Sequence, residues 1–432
     1  MYDKGKYLFS LAVVGIIGIL LVAWSVFQSV AEKREVPAIE QDTAGASSIR
    51  SLPILENRSE IVFGVSISMG GKFQSEGERV IEGFELWKDL VNEKGGIKIG
   101  DRSYGIRIIY YDDMSKPEKV RDNIRRLIEI DHIDFLLGPF SSELTMEASR
   151  IAEQYGVILV ESCGASEAIF AHGQRFTFAV LTSASWYLKD FFRMISVQVP
   201  RPETYGVLTM DTLFARSVAK GARIWGTKSG LKEVYFNTIG KSTSNFTRYL
   251  EKMALAAPDI IVFCGHYQNA LDFTVQLKTI DNLLPKAVVM TLGPTQRDYV
   301  RVLGEAAEQM TGITQWVAES GFSCPIFGDS KQYAAMFEQR FGHAPTYQNA
   351  QASASCVVYQ LALEKCIALN SEEVLKHIRE MDTQIFYGKI KFDSRGLNIG
   401  HEMAVIQIQN GIRETIWPKR VEQATYIYPI CR

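Results

Sequence analysis

The chain has 432 residues, 47% of them hydrophobic and 22% charged, and 47 basic against 49 acidic side chains leave a formal charge of −2. That length exceeds one ordinary core and suits two domains of roughly 100–200 residues each, while the composition excludes wholesale disorder. Nucleic acid is excluded as a partner as well, because its binding needs clustered cations to displace counterions, and the densest basic stretch, Arg121 to Arg126, is interrupted by Asp122, Asn123 and Ile124.

Lys4 and Lys6 precede an uncharged run over 7–31, rich in Leu, Ile, Val and Gly. As a helix this run is long enough to cross a bilayer core of about 30 Å. Residues 1–31 are therefore expected to be a transmembrane anchor or a signal peptide. The run is longer than an ordinary signal-peptide core, which favours the anchor. Ser29-Val30-Ala31 supplies the small residues of a cleavage site, which favours removal. Either way the remainder is exported. Residues 32–59, with Pro37, Pro53 and the patch Ala44-Gly45-Ala46-Ser47-Ser48, read as a flexible linker.

From residue 60 apolar strands alternate with amphipathic helices. A strand over 61–65 and a glycine-containing loop over 68–77 lead to a helix over 78–93, whose apolar positions Val80, Ile81, Phe84, Trp87 and Val91 keep a helical period. Gly95-Gly96 ends it. Next come a strand at 106–110, a helix at 117–130, a strand at 135–137, a helix at 142–155 and a strand at 157–160. Strands that alternate with helices of this length imply right-handed crossovers and a parallel sheet. The rhythm restarts with a strand at 205–209, a helix from 213, a strand at 259–264, a helix from 267 and a strand at 286–291. The predicted fold class is α/β, with two doubly wound parallel-sheet lobes.

Ligands of open parallel sheets bind at the carboxyl ends of the strands. Two such ends carry short, hydroxyl-rich loops that open helices: Gly138-Pro139-Phe140-Ser141-Ser142 and Glu161-Ser162-Cys163-Gly164-Ala165-Ser166. Helix N-termini present unpaired N–H groups and partial positive charge, so they hold a carboxylate without a lysine. Serine is also a favoured N-cap, which leaves capping as the alternative role for Ser142 and Ser166. The six cysteines form no CxxC pair and the histidines lack i,i+4 partners, so neither a metal site nor a cofactor is expected. One or two disulfides are compatible with export, and Cys264 and Cys356 sit in apolar runs suited to burial. There is no nucleophile elbow, HExxH or phosphate loop. A hydrolytic set of serine, His266, Glu161 and Cys163 is conceivable only if the two lobes bring it together, and no catalytic residue is predicted.

Val91-Asn92-Glu93-Lys94-Gly95-Gly96-Ile97, then Tyr111-Asp112-Asp113 with Pro117, then the Gly138 to Ser142 loop resemble the periplasmic branched-chain amino-acid-binding proteins, the type I receptors of ABC importers. The resemblance runs in order from 60 to about 410 and includes a late hairpin over 388–396 with an Asp-x-x-Gly turn. It implies a three-crossover hinge, with lobe one formed by 60–182 and 316–384 and lobe two by 183–315 and 385–432. It also implies a periplasmic or extracytoplasmic receptor for an amino-acid-like carboxylate or amide, ABC permease partners, and no enzyme activity. Carried over by position, Ser142, Gly164 and Ser166 hold the ligand's carboxylate and ammonium from lobe one. From lobe two, Phe214 and His266 supply aromatic cover. The family's acidic partner for the ammonium falls on Thr295, a neutral hydroxyl. Glu76 stands where an aromatic is common, either as a solvated carboxylate or as a replacement for that acid. Ser115 and Ser141 occupy the positions of a disulfide found in some members. A membrane-tethered ligand sensor is the alternative function.

Overall fold

The computed structural model describes residues 48–51 and 58–431. The apolar run at 7–31 and most of the expected linker lie outside these residues. Where the linker is described it is tied down: the Arg50 N–H donates to Gly156 O at 2.8 Å, and Ser371 Oγ donates to the Arg50 carbonyl at 2.5 Å. Residues 48–51 therefore belong to the globule rather than to a flexible tether. Among the described residues no helix is long and apolar enough to cross a membrane.

The first sheet is built on β1 (Glu60–Ile67), whose residues are buried from Ile61 onward. A run with no polar alternation marks a strand covered on both faces, as in parallel sheets flanked by helices. With β2 (Ile97–Ile99), β3 (Arg102–Asp112), β4 (Phe135–Leu137), β5 (Leu159–Glu161) and β6 (Thr177–Thr182) it makes the order β6-β5-β4-β1-β3-β2. The second sheet holds β7 (Thr204–Met210), β8 (Lys232–Ile239), β9 (Ile260–Cys264), β10 (Ala287–Met290) and β11 (Thr311–Thr314) in the order β11-β10-β9-β7-β8. β8 went unpredicted because it is an edge strand, half exposed along most of its length, and lacks a continuous apolar run.

The chain then returns to lobe one. After the short pair β12 (Ser323–Cys324) and β13 (Gly328–Asp329) come helices Ser330–Phe341, Tyr347–Leu363 and Ser371–Arg379. Helix Tyr347–Leu363 is buried along nearly its whole length and crosses helix Gln74–Glu93 at Gly83. A Cβ on Gly83 would stand 2.3 Å from Asn349 O, so this close crossing requires glycine. The Tyr359 hydroxyl reaches Leu136 O at 2.9 Å and Ile158 O at 2.8 Å, fastening the helix to β4 and β5.

The final boundary departs from expectation. β14 (Asp382–Ile385) pairs with β15 (Gly388–Lys391), and the Asp393–Gly396 turn delivers β16 (Leu397–Asn398) to the first sheet, parallel to β6. Asp393 Oδ1 accepts from Arg395 N and Leu397 N, which fixes that turn. Residues 385–398 therefore stay with lobe one. The return to lobe two comes after them, with β17 (Ala404–Gln409) antiparallel to β11 and β18 (Ile412–Trp417) beyond it.

Three strands of chain thus cross between the lobes, and one side chain laces them. Gln315, on the second crossover, accepts from Thr182 N at 3.1 Å and donates to Thr182 O at 3.2 Å on the first. The same amide donates to Tyr187 Oη at 2.8 Å and accepts from Tyr387 Oη at 3.3 Å. On the third crossover, His401 Nδ1 lies 2.8 Å from Thr182 Oγ1 and the ring stacks on Tyr387 at 4.4 Å. Gln315 and Thr182 are buried, so their bonds have no competing water. Replacing Gln315 by Leu strands several buried polar groups and is expected to cost roughly 2–4 kcal/mol. A urea denaturation midpoint unchanged from wild type would refute this role for the amide.

Candidate functional site

The carboxyl ends of β1, β4 and β5 set three loops side by side facing lobe two. The Tyr111-Asp112-Asp113 string shapes the first. Asp112 Oδ1 accepts from Met69 N, Gly70 N and Met114 N at 2.8–3.1 Å, and Asp113 Oδ1 accepts from Ser68 Oγ at 2.6 Å. The loop so held runs through Phe73 into helix Gln74–Glu93, whose first turn carries Glu76, only 6% exposed.

The second loop ends in Ser141, which caps helix Ser142–Tyr155 by accepting from Leu144 N. Capping is therefore the work of Ser141, and Ser142 at the first helical position is released from it. Its Oγ accepts from Ser166 N at 3.1 Å, joining the second loop to the third. Glu161 braces that third loop: its Oε2 accepts from Cys163 N at 2.8 Å and Gly164 N at 2.5 Å. Gly164 packs on the same helix, where an added Cβ would stand 2.7 Å from Thr145 and Ile169. Ser166 caps a short 3-10 turn and also meets Ser217 of lobe two, Oγ to Oγ at 2.8 Å.

Ser142, Gly164 and Ser166 thus come together, and lobe two closes over them. Phe214 and His266 form an aromatic row with Phe73 and Phe140 of lobe one and Tyr187 of lobe two: Phe140 to Phe73 at 5.3 Å, Phe73 to His266 at 5.2 Å, His266 to Phe214 at 5.6 Å and Phe214 to Tyr187 at 5.4 Å between centroids. Burial holds the His266 imidazole down to about 4, so it is neutral at physiological pH. Thr295 joins this convergence only through its neighbour, its Oγ1 accepting from Gln296 Nε2 at 3.4 Å. Its carbonyl accepts from Arg413 Nη1 at 2.9 Å and its methyl faces Gly312 within lobe two. The neighbouring Gln296 crosses the cleft instead, its Oε1 accepting from Arg79 Nη1 at 2.5 Å and Gln348 Nε2 at 3.0 Å. Two further contacts tie the lobes, Leu213 N to Glu143 Oε1 at 2.9 Å and Arg79 Nη2 to Asp298 Oδ2 at 3.7 Å.

Two lobes with a polar cleft between their strand ends, fastened at three crossovers, invite comparison with known receptors. Residues 60–412 match the family model described as periplasmic binding protein. The chain belongs to the periplasmic binding protein family. It is 22% identical to Leu/Ile/Val-binding protein homolog 7 of Brucella abortus over 383 residues, covering 83% of this chain and 92% of that one. Among solved structures it is similar to the branched-chain amino acid transporter substrate-binding protein LivJ of Streptococcus pneumoniae in complex with isoleucine. That match has a TM-score of 0.72 at 21% identity and covers 83% of this chain and 100% of the other. A solute-binding protein of an R. palustris ABC transporter in complex with benzoate matches with a TM-score of 0.68 at 17% identity, over 83% and 95% of the two chains. The family and fold are those of solute-binding receptors rather than enzymes.

The electrostatics of this periplasmic binding protein agree with binding. Burial pushes the Cys163 thiol up to about 12, where it cannot supply a nucleophilic thiolate. All six cysteines are unpaired, and five of them, including Cys264 and Cys356, are buried. Arg79, Gln296, Gln348 and Gln351 escaped the sequence reading because they carry no motif; only their meeting across the helix packing and the cleft reveals them.

Burial also pushes the Glu161 carboxyl up to about 8, although two backbone N–H groups partly offset it. The folded state therefore holds a proton that the unfolded chain releases above about 4.5, and stability drains away as pH rises from there to about 8. Glu161→Gln removes the titration. Its stability relative to wild type is expected to improve by roughly 2–5 kcal/mol between pH 5 and 8. Melting curves of the two proteins that run parallel over this range would contradict the assignment.

Proposed function

We propose that this protein is the solute-binding component of an ABC-type importer, capturing a small carboxylate-bearing or amide ligand of amino-acid type in the interlobe cleft. The observation that carries this reading is the convergence of the Ser142 and Ser166 hydroxyls and the N-terminus of helix Ser142–Tyr155, drawn together by the Ser166 N–H to Ser142 Oγ bond at a junction bridged by Ser217. Donors of this kind accept a carboxylate without a buried cation. Isoleucine and benzoate, the ligands of the two structural relatives, share a carboxylate and differ in the rest, which agrees with this end of the cleft being the common one.

Ligand lying on lobe one recruits lobe two through Ser217, Phe214 and His266, and the closed form docks on the permease. Such a ligand drives closure only by its preference for the closed state. The long apolar run at 7–31 favours a second reading, a receptor kept at the outer face of the cytoplasmic membrane that reports ligand to a signalling partner. The mass of the mature N-terminus in native cells separates the two, since a chain beginning near Glu32 removes the anchor.

Isothermal titration against L-amino acids, aromatic and aliphatic carboxylates and their amides tests the receptor reading. At least one carboxylate is expected to bind, with a decrease in radius of gyration by small-angle scattering. Ser142→Ala is expected to weaken it about 10- to 100-fold, the value of a hydrogen bond to a charged group. Silence across the whole panel would sink the proposal.

A further inference from the structure

The carboxylate pole leaves open what holds the other end of the ligand, since Thr295 is neutral and its hydroxyl is engaged by Gln296 Nε2. Lobe one supplies a second pole. Glu76 is buried and has no ion pair among the described residues. The neighbouring Arg79 is spent on Gln296 and Asp298. On helix Tyr347–Leu363, one turn apart, Gln348 and Gln351 are 0% and 2% exposed, and the Oε1 of each lacks a hydrogen-bond partner.

The amide orientation at Gln348 is fixed by chemistry. Arg79 can only donate, so Gln296 must turn its oxygen toward it; Gln348 then donates its N–H to that same oxygen and keeps its own Oε1 as the orphan. Gln351 donates to Cys163 Sγ at 3.2 Å, which places its amide against the Gly164 loop. The Asn349 amide, next to Gln348, donates to the Arg79 carbonyl at 2.7 Å, which packs this stretch of helix Tyr347–Leu363 on the turn of helix Gln74–Glu93 that follows buried Glu76. Two unpaired buried amide oxygens and a buried carboxyl thus lie along this part of lobe one, where unpaired polar groups are costly.

We propose that Glu76, Gln348 and Gln351 form a cation-recognising pole on lobe one, which takes a protonated nitrogen of the ligand. This rests on the receptor reading above and adds specificity to it: the ligand is a zwitterion, with its carboxylate at Ser142 and Ser166 and its ammonium or guanidinium nitrogen among these three acceptors. Both charges then lie on the same lobe. Lobe two contributes aromatic cover and the Ser217 bridge rather than a counter-charge.

Titration of the full-length protein with L-leucine, 4-aminobutyrate and L-arginine, against benzoate and 4-methylpentanoate, tests the pole. At least one zwitterion is expected to bind 10-fold or more tightly than either plain carboxylate. Glu76→Gln and Gln351→Met should each reduce that ratio to about 3-fold or less. Gln351→Met should melt no lower than wild type, because it removes an unpaired buried acceptor at nearly constant volume. A collapse in selectivity without loss of stability is an outcome that a purely structural glutamine would not give. Plain carboxylates that bind as tightly as every zwitterion would overturn the pole and leave the receptor reading intact. So would zwitterion selectivity that survives both substitutions. Absence of binding by all five probes would overturn both.

Discussion

The Gln315 side chain, paired with both the N–H and the C=O of Thr182, is the constraint on which the arrangement of the two lobes depends. It copies one rung of a β-ladder with a side chain, at a point where the backbone is leaving one sheet for another. His401 completes the junction from the third crossover through Thr182 Oγ1. A polar network at a crossing of three segments specifies one geometry more narrowly than apolar packing does, because misplacement leaves donors and acceptors unsatisfied in a site without water. The lobes can move about such a junction only by small backbone rotations around it, which is what a hinge requires.

What the hinge aligns is a cleft poor in buried ion pairs. The end of it proposed to hold an anion is made of hydroxyls and a helix terminus, neither of which carries a formal charge to desolvate. The aromatic row from Phe140 to Tyr187 excludes water around it, and His266 within that row stays neutral. In such surroundings a ligand charge meets preformed dipoles with little loss of protein solvation. The two buried carboxyls nearby obey the same economy. Glu161 is bonded to its own loop and inclined to keep a proton, and burial raises Glu76 as well, with Arg79 only partly countering it.

The strand–helix rhythm made the two sheets legible, because fully buried parallel strands such as β1 and β9 are continuous apolar runs. Edge strands were not legible: β8 is half exposed, and β16 is two residues long, so neither leaves a periodic trace. β16 is also why the lobe boundary falls after Asn398 and not at 384. At the site, the loops carrying Ser142 and Ser166 stood out by their position after strands, whereas Gly164, Phe214 and His266 were assigned through the family resemblance. Thr295 also came from the resemblance, and there it is the neighbouring Gln296 that reaches across, its Nε2 donating back to Thr295 Oγ1 at 3.4 Å. A rule that locates loops cannot say which loop residue faces the cleft. Gln348 and Gln351 were beyond it altogether, since they lie mid-helix in a stretch whose burial depends on the glycine crossing at Gly83.

That crossing gives lobe one its character. Close contact at Gly83 draws helix Tyr347–Leu363 down onto the start of helix Gln74–Glu93, which brings glutamines from late in the chain beside a carboxylate from its beginning. The strands that lead to the Ser142 and Ser166 loops are fixed to the same helix, since Tyr359 bonds the Leu136 and Ile158 carbonyls at β4 and β5. Groups of opposite preference therefore sit on one rigid body whose internal distances do not change when the hinge opens. Lobe two meets this body through a serine bridge, a backbone N–H on Glu143, aromatic faces, the Gln296 amide and the Arg79–Asp298 ion pair. Under the proposed reading, selectivity is then a property of lobe one itself, and closure of lobe two adds cover without altering it.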